Sequence, residues 1–216
     1  MKLAIARQRY NPYGGAERFV EGALKALAQS GAVDVTLLTR AWDEASPTSN
    51  SRRVEIVNPA YRSLPFGRVN RDRSFAEAVG QIIRENRFDL VQAHERIPGC
   101  HIFRAGDGIH AAWLRHRQAD QPALSSWWQR FDPYHAYTVE AERAMFAHSN
   151  LRAVICNSRM VADEIRAEYS VDTDKLHVVY NGVDLRRFCQ QSLVTHGESL
   201  RNQFSIPQEV PLILYV

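Results

Sequence analysis

Residues 3–38, LAIARQRYNPYGGAERFVEGALKALAQSGAVDVTLL, decide the fold of this chain. Leu3–Ala6 is an apolar run with the length of a buried strand, and the polar loop after it contains a pair of glycines. Over residues 19–28 apolar side chains recur at helical spacing, and Gly31 stands where a helix would stop. Val33–Leu38 has the composition of a second strand. The order strand, loop, helix, strand predicts a βαβ unit.

The alternation of strands and helices continues beyond this unit. Five more apolar segments have strand length: residues 54–57, 88–93, 101–104, 151–156 and 176–180. Helical spacing marks three further segments: 75–83, 134–148 and 161–169. Ser158 is a suitable N-cap for the third, whereas 58–73 has loop composition and 106–133 is irregular or weakly helical. The pattern predicts an α/β fold, a Rossmann-like domain whose parallel sheet is covered on both faces.

Residues 211–216, PLILYV, form a last apolar segment that a proline opens. A buried strand in an α/β protein is normally followed by a turn and a helix. We therefore expect this chain to be the first part of a longer protein, truncated where a second domain begins. The predicted division is a Rossmann-like domain at 1–190, a linker at 191–210 and the first strand of the second domain at 211–216.

The composition argues against a membrane span, a secretory signal and a nucleic-acid partner. Met1–Ala6 is too short an apolar run for a signal, and no segment approaches the ~20 apolar residues of a span. The formal charge is only +3, and no helix is dense in arginine as a nucleic-acid reader requires. Cys100, Cys156 and Cys189 have neither metal spacing nor a disulfide framework. We therefore expect a cytoplasmic protein.

The basic residues are almost all arginine, since Lys2, Lys25 and Lys175 are the only lysines among 27. Arginine forms bidentate hydrogen bonds with phosphate and carboxylate, so a preference for arginine over lysine is consistent with anionic ligands. The base composition of the genome explains the same preference equally well. The eight histidines show no metal spacing such as H-E-x-x-H, so no metal ion is expected.

Two segments carry most of the functional information. Gly14 and Gly15 lie between the first strand and first helix, where glycine backbone and a helix N-terminus suit a phosphate, although a tight turn also explains them. Glu17 and Arg18 follow on the first helical turn, and a solvated helix start is the alternative there. Asn181-Gly182-Val183-Asp184, with Phe188 after it, is a turn that follows the seventh strand.

Together these segments resemble the pattern of glycosyltransferase family 4, which has the GT-B fold. The match runs through Gly14-Gly15-Ala16-Glu17-Arg18, Asn181–Asp184 with Phe188, and Leu212–Val216, and so covers nearly the whole chain. Within the family, Tyr10–Gly15 and Pro98–Asp107 resemble lipopolysaccharide core α-glucosyltransferases.

The resemblance implies that the parent enzyme is a retaining hexosyltransferase. It would transfer a hexose from a nucleotide-sugar, UDP-linked, to a lipopolysaccharide or surface-polysaccharide acceptor, with no metal and no cofactor beyond the donor. The first domain would hold the acceptor and place Gly14 and Gly15 against the donor phosphates. Most donor contacts would come from the second domain, so we expect this chain alone to be inactive.

The resemblance also places polar residues near the transferred sugar. Asp107 is the first choice and His110 the second, because a carboxylate there stabilises positive charge on the sugar ring or binds its hydroxyls. An Asp-Gly turn beside a surface histidine is the alternative. Glu17, Arg18, Glu95 and Asn181 are the expected contacts to acceptor or donor.

Aromatic residues between Trp113 and Tyr137 alternate with arginines and histidines. Such a surface suits peripheral contact with the anionic inner face of the cytoplasmic membrane and a glycolipid or oligosaccharide acceptor; core packing of the rings is the alternative. The arginine-rich residues 62–73 would face a phosphorylated acceptor or form a mobile loop. A GT-B sugar-nucleotide epimerase and a non-catalytic sugar- or nucleotide-binding module are the rival functions, and the Asn181–Asp184 motif argues against the epimerase.

Overall fold

The computed structural model describes residues 1–9, 22–23, 26–27, 33–40, 53–56, 67–85, 87–119, 132–182, 185, 199–207 and 209–213. These residues divide into two compact units, Met1–Tyr180 and Asn181–Val216. The first unit contains the sheet and the helices around it. In the second, residues 199–203 are helical.

Seven parallel strands make up the sheet of the described chain. They are β1 Lys2–Ala6, β2 Asp34–Thr39, β3 Arg53–Ile56, β4 Leu90–Ala93, β5 Ile102–Ala105, β6 Ala153–Cys156 and β7 Leu176–Val178. Their spatial order is β3-β2-β1-β4-β5-β6-β7. The chain therefore moves outward from β1 to β3 and then returns to place β4 on the other side of β1. This reversal is the point where α/β sheets open a crevice beyond the carboxyl ends of their strands.

Four helices are fully described, and local sequence explains where two of them begin. They are α1 Gly67–Arg84, α2 His110–Ala119, α3 Pro133–Phe146 and α4 Arg159–Tyr169. The Asp132 carboxylate accepts from the backbone N–H of Tyr134 at the start of α3, where Pro133 occupies the first turn. The Ser158 hydroxyl accepts from the N–H of Val161 at the start of α4.

The central strand β1 is buried on both faces, as a parallel sheet between two layers requires. Ala4 and Ala6 pack into the larger core, together with Phe75 and Val79 of α1 and Ile165 of α4. Leu3 and Ile5 point to the opposite face and pack with Leu37 of β2. The two-residue alternation of strand side chains thus divides β1 between two cores.

The first seven predicted strands are confirmed, with ends that differ by at most two residues. The helices now named α1, α3 and α4 are confirmed as well, together with the Ser158 cap. The loop predicted at 58–73 is wrong for residues 67–73, which form the first turns of α1. Those turns are polar and carry no apolar period, because α1 buries side chains only from Phe75 onward. Residues 110–119, predicted irregular or weakly helical, form α2, which buries only Ala112.

The predicted last strand is not formed by residues 211–213, and residues 214–216 lie outside the described chain. The domain boundaries at 190 and 210 therefore stay predictions. No helix within the described ranges combines the length and the apolarity needed to cross a membrane.

Replacing Ile165 with alanine should lower the free energy of unfolding by about 2–5 kcal/mol, because its side chain is fully buried and a cavity would remain. Met160 on the same helix is 65% exposed, so Met160→Ala should change stability by less than about 0.5 kcal/mol. Urea denaturation followed by circular dichroism measures both. Equal losses in the two variants would contradict the packing of α4 described above.

Candidate functional site

The carboxyl ends of neighbouring parallel strands bring four loops to one edge of the sheet. Ala6 of β1 pairs with Ala93 of β4, and Ala105 of β5 pairs with Cys156 of β6. The residues that follow these strand ends therefore share one edge: Arg7-Gln8, His94-Glu95-Arg96, Gly106-Asp107 and Asn157-Ser158. This is the edge at which α/β proteins bind ligands.

Two adjoining clefts open at this edge. The arginine cleft has a volume of about 550 Å³ and is lined by Arg68, Arg96, Arg117, Asp107, His110, Trp113, Asp132, Tyr134 and His135. The asparagine cleft has a volume of about 460 Å³ and is lined by Gly106, Asp107, Gly108, Trp113, His116, Asn157 and Ser158. Asp107 and Trp113 belong to both. Asp107 is exposed, so its carboxylate is accessible to ligands on either side.

Asp107 is held on a loop that tolerates little change. The Asn157 side chain donates from Nδ2 to the carbonyl of Gly106 at 2.6 Å, which ties the loop to the end of β6. A Cβ at Gly106 would lie 2.3 Å from Nη1 of Arg104, so only glycine fits there without moving that buried side chain. Gly108 has φ +74°, a conformation that favours glycine. Close packing against Arg104 thus favours glycine at position 106, and the positive φ angle favours glycine at position 108.

Arg104 lies behind the exposed carboxylate. Burial lowers the pKa of Arg104, and the charge of Asp107 acts against that shift. The two groups therefore attract each other. On the other side of the loop, Oδ1 of Asn157 is buried and accepts no hydrogen bond from the described residues.

His110 opens α2 and belongs to a cluster of rings. Its Nε2 lies 2.9 Å from Nδ1 of His135, and its ring stacks on Trp113 at a centroid distance of 5.3 Å. Burial lowers the pKa of His110 to about 4, with Arg96 adding to the effect. His110 is therefore neutral at pH 7. Because Nε2 of His110 is occupied by His135, Nδ1 of His110 is the ring nitrogen left for a ligand.

The carboxylate of Glu142, on α3, fixes the start of α2. This side chain is fully buried and accepts from the backbone N–H groups of His110 at 2.6 Å and Ala111 at 3.2 Å. It also accepts from Nε of Arg96 at 2.9 Å and from the hydroxyl of Tyr169 at 2.8 Å. Burial, and then the Glu142 charge, raises the pKa of Tyr169, which keeps that hydroxyl protonated as a donor. One buried anion thus joins α2, α3, α4 and the loop after β4.

Glu95 and His94 follow β4 and contact the end of β1. The Glu95 carboxylate accepts from the backbone N–H of Gln8 at 3.1 Å and from Nη1 of Arg7 at 3.4 Å. His94 is buried, and its Nε2 lies 3.0 Å from Nε2 of Gln92. Burial, together with the charges of Arg104 and Arg7, lowers the pKa of His94 to about 3. His94 is therefore a neutral part of the core.

The structure brings together some of the residues predicted from sequence. Asp107 and His110 line the arginine cleft, and Glu95 lies at the next strand end. Asn181 is exposed and belongs to the second compact unit. The remaining predicted contacts, Gly14, Gly15, Glu17 and Arg18, lie outside the described residues, as do Trp127, Trp128 and Phe131 of the predicted membrane surface. Their roles stay predictions.

Glu142 and His135 are site residues that the sequence predictions did not include, and Arg117, predicted only as part of a membrane-facing surface, lines the arginine cleft. A signal for Glu142 exists, because it falls on the buried face of α3, next to Ala141 and one turn before Met145 and Phe146. A carboxylate at a core position of a helix needs donors around it. In the described part of the chain, no three His, Cys, Asp or Glu side chains group as a metal site requires.

Comparisons with known proteins agree with this fold. Glycosyltransferase Family 4 matches residues 13–187. D-inositol 3-phosphate glycosyltransferase of Xylanimonas cellulosilytica is 26% identical over 229 residues, which cover 94% of this chain and 51% of that protein.

Two solved structures share the fold. WaaG, a glycosyltransferase involved in lipopolysaccharide biosynthesis, has a TM-score of 0.74 at 16% identity, over 96% of this chain and 52% of that one. A glycosyltransferase from Rickettsia africae ESF-5 has a TM-score of 0.57 at 15% identity, over 97% and 51%. The fold is therefore the Rossmann-like N-terminal domain of a GT-B glycosyltransferase, as predicted, and the chain spans about half the length of the relatives it matches.

Replacing Glu142 with alanine should destabilise the fold by about 3–5 kcal/mol, because Arg96 loses its buried partner and two backbone N–H groups lose their acceptor. Glu140→Ala, on the exposed side of the same helix, should cost less than about 1 kcal/mol. Chemical unfolding measures both values. Similar stabilities for the two variants would show that Glu142 does not anchor α2.

Acidification should destabilise the folded chain between pH 6.5, the ordinary pKa of histidine, and about pH 3, where His94 is protonated in the fold. Over this range the unfolded state binds more protons, so stability is complete above pH 6.5 and falls as the pH drops. His94 contributes a slope of at most about 1.4 kcal/mol per pH unit. His110 acts in the same direction down to about pH 4.

Unfolding free energies measured across this pH range test the prediction. His94→Gln should flatten the acid limb, whereas His177→Gln, on the exposed face of β7, should leave its slope unchanged. An acid limb of unaltered slope in His94→Gln would contradict the assignment.

Proposed function

This chain belongs to glycosyltransferase family 4, and from that premise we propose that it is the acceptor-side domain of a retaining hexosyltransferase. The donor is a nucleotide-sugar, UDP-linked, and the acceptor is a lipopolysaccharide or a related surface polysaccharide. WaaG, whose fold this domain shares, is a glycosyltransferase involved in lipopolysaccharide biosynthesis, which supports this choice. The protein acts in the cytoplasm, at the inner face of the cytoplasmic membrane.

The observation that carries the proposal is the position of Asp107. It borders both clefts at the ligand-binding edge of the sheet, so a substrate in either cleft can reach it. In the transfer, the bond from the anomeric carbon to the diphosphate oxygen breaks, and a bond to the acceptor hydroxyl oxygen forms. The hydroxyl proton leaves with the diphosphate. The Asp107 carboxylate stabilises the positive charge that develops on the sugar ring between these two events.

The neighbouring groups bind and orient the substrates. Nδ1 of His110 exchanges a hydrogen bond with a sugar hydroxyl, since the ring is neutral and its Nε2 is used. Gly14 and Gly15 bind the donor phosphates, and a second domain supplies the remaining donor contacts.

Asp107→Asn should lower kcat/KM for hexose transfer by roughly 100- to 1,000-fold, because the amide keeps the shape of the carboxylate and loses its charge. The test compares this chain with a protein extended by a second domain of ~150–200 residues. Donors are a panel of UDP-sugars, and the acceptor is a truncated lipopolysaccharide core. Only the extended protein should catalyse hexose transfer.

Asp163→Asn is the matched control, because Asp163 is exposed on α4 and paired with Arg166 away from both clefts. Its activity should equal that of the wild type. Full activity in Asp107→Asn would remove Asp107 from the mechanism. If the extended protein transfers no sugar to any acceptor, the domain is a binding module and the transferase proposal fails.

A further inference from the structure

We propose that the acceptor carries a phosphate group and that Arg68 and Arg117 bind this phosphate in the arginine cleft. The inference rests on the proposed function, since it names the chemical class of the acceptor for the same site. Two observations support it: the aromatic contacts that orient these two guanidinium groups, and the ion pairs that already neutralise the other charges of the cleft.

Both guanidinium groups lie over aromatic rings. Cζ of Arg68 is 4.2 Å from the ring centroid of Tyr134, and Cζ of Arg117 is 4.9 Å from that of Trp113. A cation–π contact of this kind needs no carboxylate partner, so N–H groups of the guanidinium remain available to a ligand. It also orients two otherwise flexible side chains before a ligand arrives. Less ordering free energy is then lost on binding.

Neither guanidinium is paired with a carboxylate among the described residues. Three exposed arginines outside the cleft are, by contrast, paired: Arg115 with Glu168, Arg143 with Glu140 and Arg166 with Asp163. Two arginines over aromatic rings without an acidic partner, lining one cleft, are groups whose donors suit an anionic ligand.

The remaining charges of the cleft already have partners. Arg96 is bound to Glu142, and Asp107 is attracted by Arg104 behind it. The Asp132 carboxylate accepts from the backbone N–H of Tyr134 and lies 3.7 Å from Nε2 of His135. The positive charges of Arg68 and Arg117 are therefore the ones left to attract a ligand into the cleft.

A phosphate attached to a sugar fits these groups better than a carboxylate does. A single guanidinium fork satisfies both oxygens of a carboxylate, whereas a phosphate has three terminal oxygens for two forks. Trp113 lines the same cleft and is 45% exposed, so its side chain is also accessible to the sugar itself. A cleft of about 550 Å³ has room for a phosphorylated monosaccharide.

Titration calorimetry on the full 216-residue chain tests the proposal, with D-mannose 6-phosphate, D-mannose, D-glucuronate and inorganic phosphate as probes. Mannose 6-phosphate should bind at least about 10-fold more tightly than mannose, as charge-assisted hydrogen bonds contribute about 1.5–3 kcal/mol. Added salt should weaken the binding of mannose 6-phosphate alone. Each variant should show the thermal transition of the wild type before its binding is compared.

Arg68→Gln and Arg117→Gln should each reduce the preference for mannose 6-phosphate, and the double variant should abolish it while mannose still binds. Arg166→Gln is the matched control, as that exposed arginine lies outside the cleft, and its preference should be unchanged. Equal binding of mannose and mannose 6-phosphate would overturn the proposal. Glucuronate that binds as tightly as mannose 6-phosphate would overturn it too, as would no binding of any probe.

A transfer assay separates this inference from the proposed function. The extended protein is given a truncated lipopolysaccharide core with its phosphates intact, or the same core after enzymatic dephosphorylation. Loss of transfer on dephosphorylation supports the phosphate contact, and equal rates overturn it. Phosphate-selective binding without transfer to either core would leave the phosphate site standing and overturn the transferase.

Discussion

The carboxylate of Glu142 is the interaction on which the site depends. A fully buried anion is costly unless donors surround it, and here two backbone N–H groups, one guanidinium and one phenol do so. These donors come from two helices, α2 and α4, and from the loop after β4, while Glu142 itself lies on α3. A single side chain therefore joins α2, α3 and the loop after β4, which all contribute to the arginine cleft. The helix α2, which buries only one residue of its own, is held mainly through its first turn.

This arrangement also decides where a substrate anion can bind. The N-terminus of a helix usually offers free N–H groups to phosphate. In α2 those of His110 and Ala111 are already bound to Glu142, so the domain has used this helix end for its own carboxylate. An anionic ligand in the arginine cleft must therefore be bound by side chains. Arg68 and Arg117, which lie over the rings of Tyr134 and Trp113, are the groups positioned for that role.

The order of strands and helices could be predicted from sequence because each parallel strand is a short apolar run and most helices bury a regular stripe. The family resemblance pointed to Asp107 and His110, and the structure places both among the residues that line the arginine cleft, while their roles stay predictions. Residues 67–73 and α2 were missed or weakly predicted because they bury few side chains, and their helical form comes from tertiary contacts. Glu142 was missed because its importance depends on donors from residues 96, 110, 111 and 169, which the sequence does not show to be neighbours.

The exposed carboxylate of Asp107 and the buried guanidinium of Arg104 illustrate how such a site keeps its charge available. The charge of Asp107 acts against the lowered pKa of Arg104, so the two groups attract each other, while the Asp107 side chain is exposed and borders both clefts. A Cβ at Gly106 would lie 2.3 Å from Nη1 of Arg104, so a larger residue there would have to displace the end of that side chain. The glycine after strand β5 therefore allows the guanidinium to pack against this loop. The loop places an acidic group between the two clefts without burying it.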